Sequence, residues 1–570
     1  MNFASSPYFI PFLLILLFWL VSEARAVLFW VYLWQLKEYH LGRFLAIFQQ
    51  KQGRNLFFNP LFFAKIIIFI LGFGVFFNLQ VSSLFLAAAF LLFALLAANF
   101  FLKLAKKTII RPVITKKSLF LTAVSCILIF AWAIFLCGGL AAKISLRSFA
   151  LAVLGMLGAD ILLPLIISGI VLIFQPITIY QRQKILKKAQ AILKNFPHLT
   201  IIAVSGSYGK STAKELLAYI LAQKSAVLKT PANQNTEIGI AQTIINELKP
   251  EHKFFVAEIG AVHKGKIKEV CAAINPQIGI ISGINQQHLG VFGSQQNIID
   301  GKFELAESLP ESGTLILNWN SQFIREGFTQ HQSKIKAQKI IVVSSQEPKD
   351  LWANDIQVSI DHLSFALNYK TEKYAVNVNG RGEFMAELIL LAVAGALAAG
   401  MNFAEIIKII NQLDFTPFNL KTSSKEIKIP GGAAPKILKI NIIESTYSEN
   451  PNSAAAHLEY LKLWRGKKVI IMPCIIELGS AAKSVHFEIG RKIAASCDLA
   501  IITDKDYFKE IKNGAASCRM PSENIIFAAD PDQILNKIKS LGAGEITILL
   551  EGRLTQKIAA AVKSLADCAN

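Results

Sequence analysis

Polar positions are almost absent from five long stretches at the front of the chain, at 8–30, 61–77, 81–102, 119–140 and 149–174. Such runs offer no solvent face, and about 20 apolar residues suffice for a helix to cross the hydrocarbon core of a bilayer. Five membrane helices are therefore expected. Glu23 and Arg25 interrupt the first, and Ala24-Arg25-Ala26 resembles a signal-peptidase site. No positive segment stands before residue 8, so that span is read as uncleaved.

Beyond residue 174 the pattern changes twice. Residues 175–194, QPITIYQRQKILKKAQAILK, read as a basic helical connector whose charges meet acidic lipid headgroups. From His198 onward short β-rich runs alternate with helical stretches, as in parallel α/β sheets. The polar, Gly- and Pro-rich segment NLKTSSKEIKIPGGAAPK at 419–436 precedes a second α/β unit. The expected order is a membrane region at 1–174, a connector at 175–195, a central nucleotide-binding domain at 196–418 and a Rossmann-like C-terminal domain at 419–570.

Charge orients the spans. Lys37, Arg43, Lys51 and Arg54 follow the first. Lys103, Lys106, Lys107, Arg111, Lys116 and Lys117 follow the third, and Arg182, Lys184, Lys187 and Lys188 the fifth. The alternate loops carry only Lys143 and Arg147, which places the N-terminus outside and everything after residue 174 in the cytoplasm. Within the spans, Lys65 reads as snorkelling from near a helix end. Asp160 packs against another helix or, close to Pro164, lines a polar cavity.

The whole chain is 53% hydrophobic with a formal charge of +20, and residues 1–178 carry +11 of it. The remainder is spread without an Arg/Lys stripe or a nucleic-acid-binding motif, which argues against nucleic acid and for lipid and phosphate. Seven cysteines without paired CxxC spacing exclude a cysteine metal site and fit a reduced compartment.

The most informative stretch is LTIIAVSGSYGKSTAKELLAYILAQ, an apolar strand running through a glycine turn into a helix. Backbone N–H groups at that helix start, with its dipole, suit a polyphosphate. Gly206, Ser207 and Gly209 would form the cradle, Lys210 would reach the terminal phosphates, and the Ser211 hydroxyl would ligate Mg²⁺. Residue 204 is Val, so the strict G-x4-G-K-[ST] spacing is not met. Further on, Glu258 ends an apolar strand just before a glycine, where an open α/β sheet places its ligands and where a carboxylate can hold Mg²⁺. His288 follows the strand IGIISGIN at the same edge.

The loop with its trailing Thr212 resembles the short P-loop of the Mur ligases, which add amino acids or dipeptides to peptidoglycan precursors. TPANQNTEIGIAQT (230–243), AEIGAVHKGKI (257–267), NQQHLGVFGSQQNIIDGKFELAESL (285–309) and TYSENPNS (446–453) resemble further motifs of that family in the right order, most like its D-alanyl-D-alanine-adding branch. The resemblance covers about 198–570. It implies ATP and Mg²⁺ as cofactors, a UDP- or lipid-linked peptidoglycan precursor and an amino acid or dipeptide as substrates, and an acyl-phosphate mechanism. It gives Glu258 and His288 positions at the metal. It makes Lys302 of GKFEL a carbamylated residue able to position a second Mg²⁺, with Glu304 retained beside it. Asn233, Arg381, Tyr447 and Asn450 match positions near the nucleotide.

Departures cluster late. Where the family has G-R-H-N and a following Asn, this chain has Gly380-Arg381-Gly382-Glu383 and Ala386. GDMLELG appears as PCIIELG at 473–479, and Glu444-Ser445 replaces the aspartate-rich start of the TYNANP motif, whose first Asn becomes Ser448. In place of the family's UDP-sugar domain stand the five spans, which raises the expectation of a membrane-delivered or lipid-linked substrate. A poly-γ-glutamate synthase-like ligase shares the nucleotide chemistry, but NQNTEIG and TYSENPNS favour the peptidoglycan type. A P-loop-driven transporter or flippase finds no ABC-type signature, and a non-catalytic scaffold leaves the retained metal positions unexplained.

Overall fold

A computed structural model describes residues 7–37, 39–49, 51–74, 79–142, 145–232, 234–429, 436–446, 450–542 and 544–567. The chain forms two compact units, Met1–Gln181 and Arg182–Asn570.

The first unit is helical. Five helical stretches, Phe9–Leu36, Gly53–Phe73, Ser82–Ala105, Lys116–Leu140 and Leu146–Leu193, the last running on into the second unit, are long and apolar enough to cross a membrane. Glu23 and Arg25 do not interrupt the first, which runs unbroken. Many of their large apolar side chains face outward, including Ile67, Leu91, Phe135 and Leu165, each at least 60% exposed, as expected of helices solvated by lipid. The inner faces pack Trp19, Phe85, Phe93, Val153 and Met156.

The polar groups in this bundle turn inward. Lys65 does not snorkel: its Nζ lies 2.5 Å from Asp160 Oδ2, with side chains 16% and 3% exposed. A carboxylate on a neighbouring helix offers the ammonium a nearer partner than the interface does. Glu23 completes a cluster, since Asp160 and Lys65 both act on it electrostatically. It is 1% exposed, and neither of its carboxylate oxygens has a geometrically sound hydrogen bond. All three residues sit near the middle of their helices.

The second unit begins within the helix Gln175–Leu193, whose Leu186 and Ala189 are buried in the core of the first α/β layer. Arg182 on this helix pairs with Glu237 (3.0 Å) and Glu269 (3.4 Å). That corrects the expectation that the connector's charges only meet headgroups: two carboxylates of the protein itself claim Arg182, while Lys184, Lys187 and Lys188 are exposed.

Nine strands form the central sheet: β1 (Thr200–Ser205), β2 (Ala226–Lys229), β3 (His252–Ile259), β4 (Ile278–Ile281), β5 (Thr314–Asn318), β6 (Lys339–Ser344), β7 (Leu351–Val358), β8 (Leu363–Tyr369) and β9 (Glu372–Val378). Their order is β2-β3-β1-β4-β5-β6-β7-β8-β9. The pairs through β7 are parallel, and β7, β8 and β9 form an antiparallel meander. Helix Phe384–Ala398 is apolar except for Glu387 and buried against one face. At 15 residues it is a core helix, too short to span a bilayer.

The C-terminal sheet holds β10 (Lys421–Ile429), β11 (Lys436–Ser445), β12 (Lys467–Met472), β13 (Leu499–Ile502), β14 (Ile525–Phe527) and β15 (Gly544–Glu551), in the order β10-β11-β15-β12-β13-β14. Lys421–Ile429 of the polar segment is therefore strand, antiparallel to β11. Its lysines and serines suit an edge position, where one side of the strand faces water and charge discourages further pairing.

Candidate active site

Parallel pairing brings the functional residues to one edge. β1 is flanked by β3 and β4, with Val204 opposite Glu258 and Ser205 opposite Ile259 and Ile281. The chain leaving β1 turns at Gly206 (φ +151°) and Gly209 (φ +77°) before the helix Lys210–Ala222. A Cβ on Gly206 would lie 2.3 Å from Ser282 Oγ, and one on Gly209 2.8 Å from a Leu388 methyl. The loop thus needs glycine for both conformation and space. Ser207 N donates to Gly283 O at 2.6 Å, tying the turn to the end of β4. Ser211 is exposed and Thr212 half-buried on the first turn of the helix.

Lys210 folds back over this loop, its Nζ donating to Ser207 O at 3.4 Å. Burial lowers its pKa, while Glu258 opposes the shift. Glu258, 3% exposed, is held on two sides. Asn235 Nδ2 donates to its Oε1 at 3.0 Å, and Lys214 Nζ lies 3.7 Å from its Oε2. Lys214 is fully buried and also donates to Thr230 O at 2.7 Å. It stands one helical turn after Lys210, on the same face, so two ammonium groups point to this edge from one helix.

Lys302 comes from helix Gln295–Glu307 and is 3% exposed. Burial, reinforced by the charge of Lys210, brings its pKa down to about 7, with Glu304 opposing. Glu304 accepts from the backbone N–H of Gly265 (2.5 Å) and of Lys268 (3.0 Å) at the start of helix Lys266–Ile274. It is a brace between two helices, and its carboxylate offsets the positive end of the second. His288 Nδ1 lies 2.5 Å from Glu477 Oε2 of the C-terminal domain. Burial lowers the pKa of His288, Glu477 raises it, and Lys302 and Lys210 add to the lowering.

Other expected residues stand elsewhere. Asn233 and Tyr447 lie outside the described residues. The Arg381 guanidinium is taken up by Asp361 (2.8 Å), Leu420 O (2.9 Å) and Thr422 Oγ1 (2.6 Å), which straps the start of β10 to the central domain. Asn450 caps helix Pro451–Lys462 and accepts from Asn285 Nδ2 at 3.3 Å. Asn235, Lys214, Asn285 and Glu477 were not anticipated as site residues. Only Lys214 left a signal, its spacing of four from Lys210. A further surprise is Glu387, whose carboxyl accepts from Asn318 Nδ2 at 3.1 Å near the loop and whose pKa burial raises.

Lys210, Lys214 and Lys302 face this edge with His288, against Glu258 and Glu477. Cations that depress one another's pKa are a poor arrangement on their own and a good one around a polyphosphate. Among the described residues no three His, Cys, Asp or Glu side chains gather into a metal cage. Mg²⁺ suits such a site, since it is bound through one or two protein groups plus phosphate oxygens. The residues present therefore fit a Mg²⁺–nucleotide.

Comparison with known families decides the class. Residues 204–396 match the Mur ligase middle domain and 435–554 the Mur ligase glutamate ligase domain, together more than half of the chain. The chain belongs to the Mur ligase family. It is accordingly an ATP-dependent ligase that forms carbon–nitrogen bonds. It is 26% identical over 413 residues to the UDP-N-acetylmuramoyl-tripeptide–D-alanyl-D-alanine ligase of Escherichia coli K12, covering 70% of this chain and 86% of that protein. The ligase of the same name from Mycobacterium tuberculosis H37Rv is 28% identical over 303 residues, covering 51% of this chain and 56% of its own length. A crystal structure of MurF from Acinetobacter baumannii superposes with a TM-score of 0.58 at 25% identity, covering 68% of this Mur ligase and 81% of that chain. The apolar helical region is additional to the matched domains.

Proposed function

We propose that this Mur ligase is a membrane-embedded enzyme of peptidoglycan-precursor synthesis that joins D-alanyl-D-alanine, or a similar amine, to the carboxylate of a muramoyl peptide. The observation that carries this reading is the gathering of Lys210, Lys214, Glu258, His288 and Lys302 at the edge where the P-loop opens. Similarity to the tripeptide ligases supports the choice of substrates. The five apolar helices and the charge asymmetry of their loops support a multi-pass inner-membrane protein with its catalytic domains in the cytoplasm.

In this reading the Gly206–Ser211 loop and the start of its helix bind the phosphates of ATP, and Lys210 neutralises charge on the transferred group. Ser211, Glu258 and His288 would hold Mg²⁺, which would supply positive charge to offset the charge developing during transfer. Attack by the substrate carboxylate on the γ-phosphorus yields an acyl phosphate and ADP. The amine then adds to the acyl carbon, and phosphate leaves. Lys302, with its pKa near 7, exists in substantial part as free amine at cytoplasmic pH and can take up CO₂. The carbamate would turn a cation that opposes metal binding into an anion that supports it. Asn235 and Lys214 hold the Glu258 carboxylate in place.

The membrane region suggests that the precursor arrives lipid-linked or at the bilayer surface. Incubating the protein in its membrane with ATP, Mg²⁺ and a panel of UDP-linked and lipid-linked muramoyl peptides, followed by mass spectrometry, tests both parts. A D-alanyl-D-alanine adduct is expected, absent in Lys210→Ala. Equal use of the soluble UDP-tripeptide and the lipid-linked form would end the lipid-delivery part.

A further inference from the structure

The contact between His288 and Glu477 joins two domains, and neither residue lies there in a relaxed backbone. His288 has φ +66° and Glu477 φ +63°. Non-glycine residues enter the left-handed region at a cost, and they persist where the surroundings over-determine them. Here two such residues from different domains meet side chain to side chain at 2.5 Å.

The backbone repeats the connection. Gly290 N donates to Glu477 O at 2.9 Å, and a Cβ added to Gly479 would lie 2.9 Å from Gly290 N. The turn after β12 is therefore pressed directly against the short helix Leu289–Phe292 that follows His288. A second bridge runs from Asn285 Nδ2 to Asn452 Oδ1 at 2.9 Å.

Electrostatics give the contact a direction. Lys210 and Lys302 both act against a proton on His288, and Glu477 is the carboxylate that acts for the ring. With Nδ1 engaged by Glu477, Nε2 is the nitrogen left for a ligand. A carboxylate on the far nitrogen fixes a histidine's tautomer and orientation and raises its basicity toward a metal.

We propose that Glu477 is a positioning residue: it reaches across from the C-terminal domain to set the His288 ring, so that the divalent-cation site is complete only while the two domains are docked. This rests on the reading of His288 as a metal-binding residue. Undocking removes both the carboxylate and the backbone contact at Gly290, and leaves the imidazole under the opposing charge of Lys210 and Lys302. Docking of the C-terminal domain and readiness of the metal site then become one event.

The test uses the full-length protein in detergent with ADP, and Mn²⁺ as a spin probe read by electron paramagnetic resonance. Glu477→Ala should raise the Mn²⁺ concentration for half-occupancy about 10–100-fold, the range for lost outer-shell partners of metal ligands. Glu477→Gln, which keeps shape and a hydrogen-bonding oxygen, should fall between it and the parent and covers the case in which the alanine variant fails to fold. In a His288→Ala background the Glu477 change should have no further effect on Mn²⁺ affinity. Unchanged Mn²⁺ affinity in both Glu477 variants, or an equal loss with and without His288, would overturn the proposal. If the expected Mn²⁺ shift appears but no muramoyl peptide is ligated by the parent protein, the positioning role stands and the substrate reading fails.

Discussion

Two groups of buried charge, one in each unit of the molecule, are arranged around different partners. Near the midpoints of the apolar helices, Glu23 and Asp160 share the single ammonium of Lys65. At the edge of the central sheet, Lys210, Lys214 and Lys302 stand with His288, and Glu258, Glu477, Glu215 and Glu304 oppose them. The difference teaches what each is for. Ammonium groups gathered at an open strand edge, beside a glycine loop, suit a polyanion that binds and leaves. In the helix bundle the carboxylates meet a cation of the protein itself, and the Lys65–Asp160 pair ties two helices together.

The largest effects should separate the two. Lys210→Ala should cut product formation roughly 10³-fold or more, since a cation on the transferred phosphate is central to phosphoryl transfer. The helical region should be untouched, with an unchanged unfolding midpoint in detergent. Lys65→Met should do the converse. Two carboxylates would be left facing each other without a cation, and breaking a buried pair in this way costs about 3–5 kcal/mol. Neutralising all three positions together (Lys65→Met, Glu23→Gln, Asp160→Asn) should restore most of that stability. If the triple variant is stable but ligation is lost, the bundle charges act in the reaction and the contrast drawn above is wrong.

A pH profile sharpens the soluble half. The Lys302 pKa near 7 means the free amine dominates above that value and the ammonium below it. Capture of ¹³CO₂ as a carbamate at Lys302, read by NMR, should therefore grow as pH rises through about 7 and vanish in Lys302→Arg. Activity of the parent should follow the same limb and respond to added bicarbonate at lower pH.

These two regions were not equally legible in the sequence. The five spans and the P-loop announce themselves through local signals, a long apolar run and a glycine turn between strand and helix. Glu258 and His288 were placed at the sheet edge by the strands before them. Lys65 and Glu23 were not read as partners of Asp160, because helix spacing along the chain does not reveal which faces of three helices meet. Asn235 and Glu477 were missed for a related reason: each acts on a residue 23 or 189 positions away, through contacts that exist only after the sheet and the domain pair have formed. The polar composition of β10, natural for an edge strand, hides the strand alternation.

Arg182 offers the finest test of where the soluble unit begins. Read along the chain, it is one more cation in a basic segment, equivalent to Lys184, Lys187 and Lys188. In the folded protein it alone of the four pairs with two carboxylates, at 3.0 and 3.4 Å. Its side chain is 27% exposed, so solvent screens the pairs and their worth is about 1 kcal/mol or less. Arg182→Gln should accordingly lower the unfolding midpoint of the ATP-binding unit slightly, and high salt should reduce the difference. The same substitution at Lys187 should leave that midpoint alone and instead weaken attraction to anionic lipid by about 1 kcal/mol. Identical behaviour of the two variants would return Arg182 to the lipid-facing set and move the start of the soluble unit further along the helix.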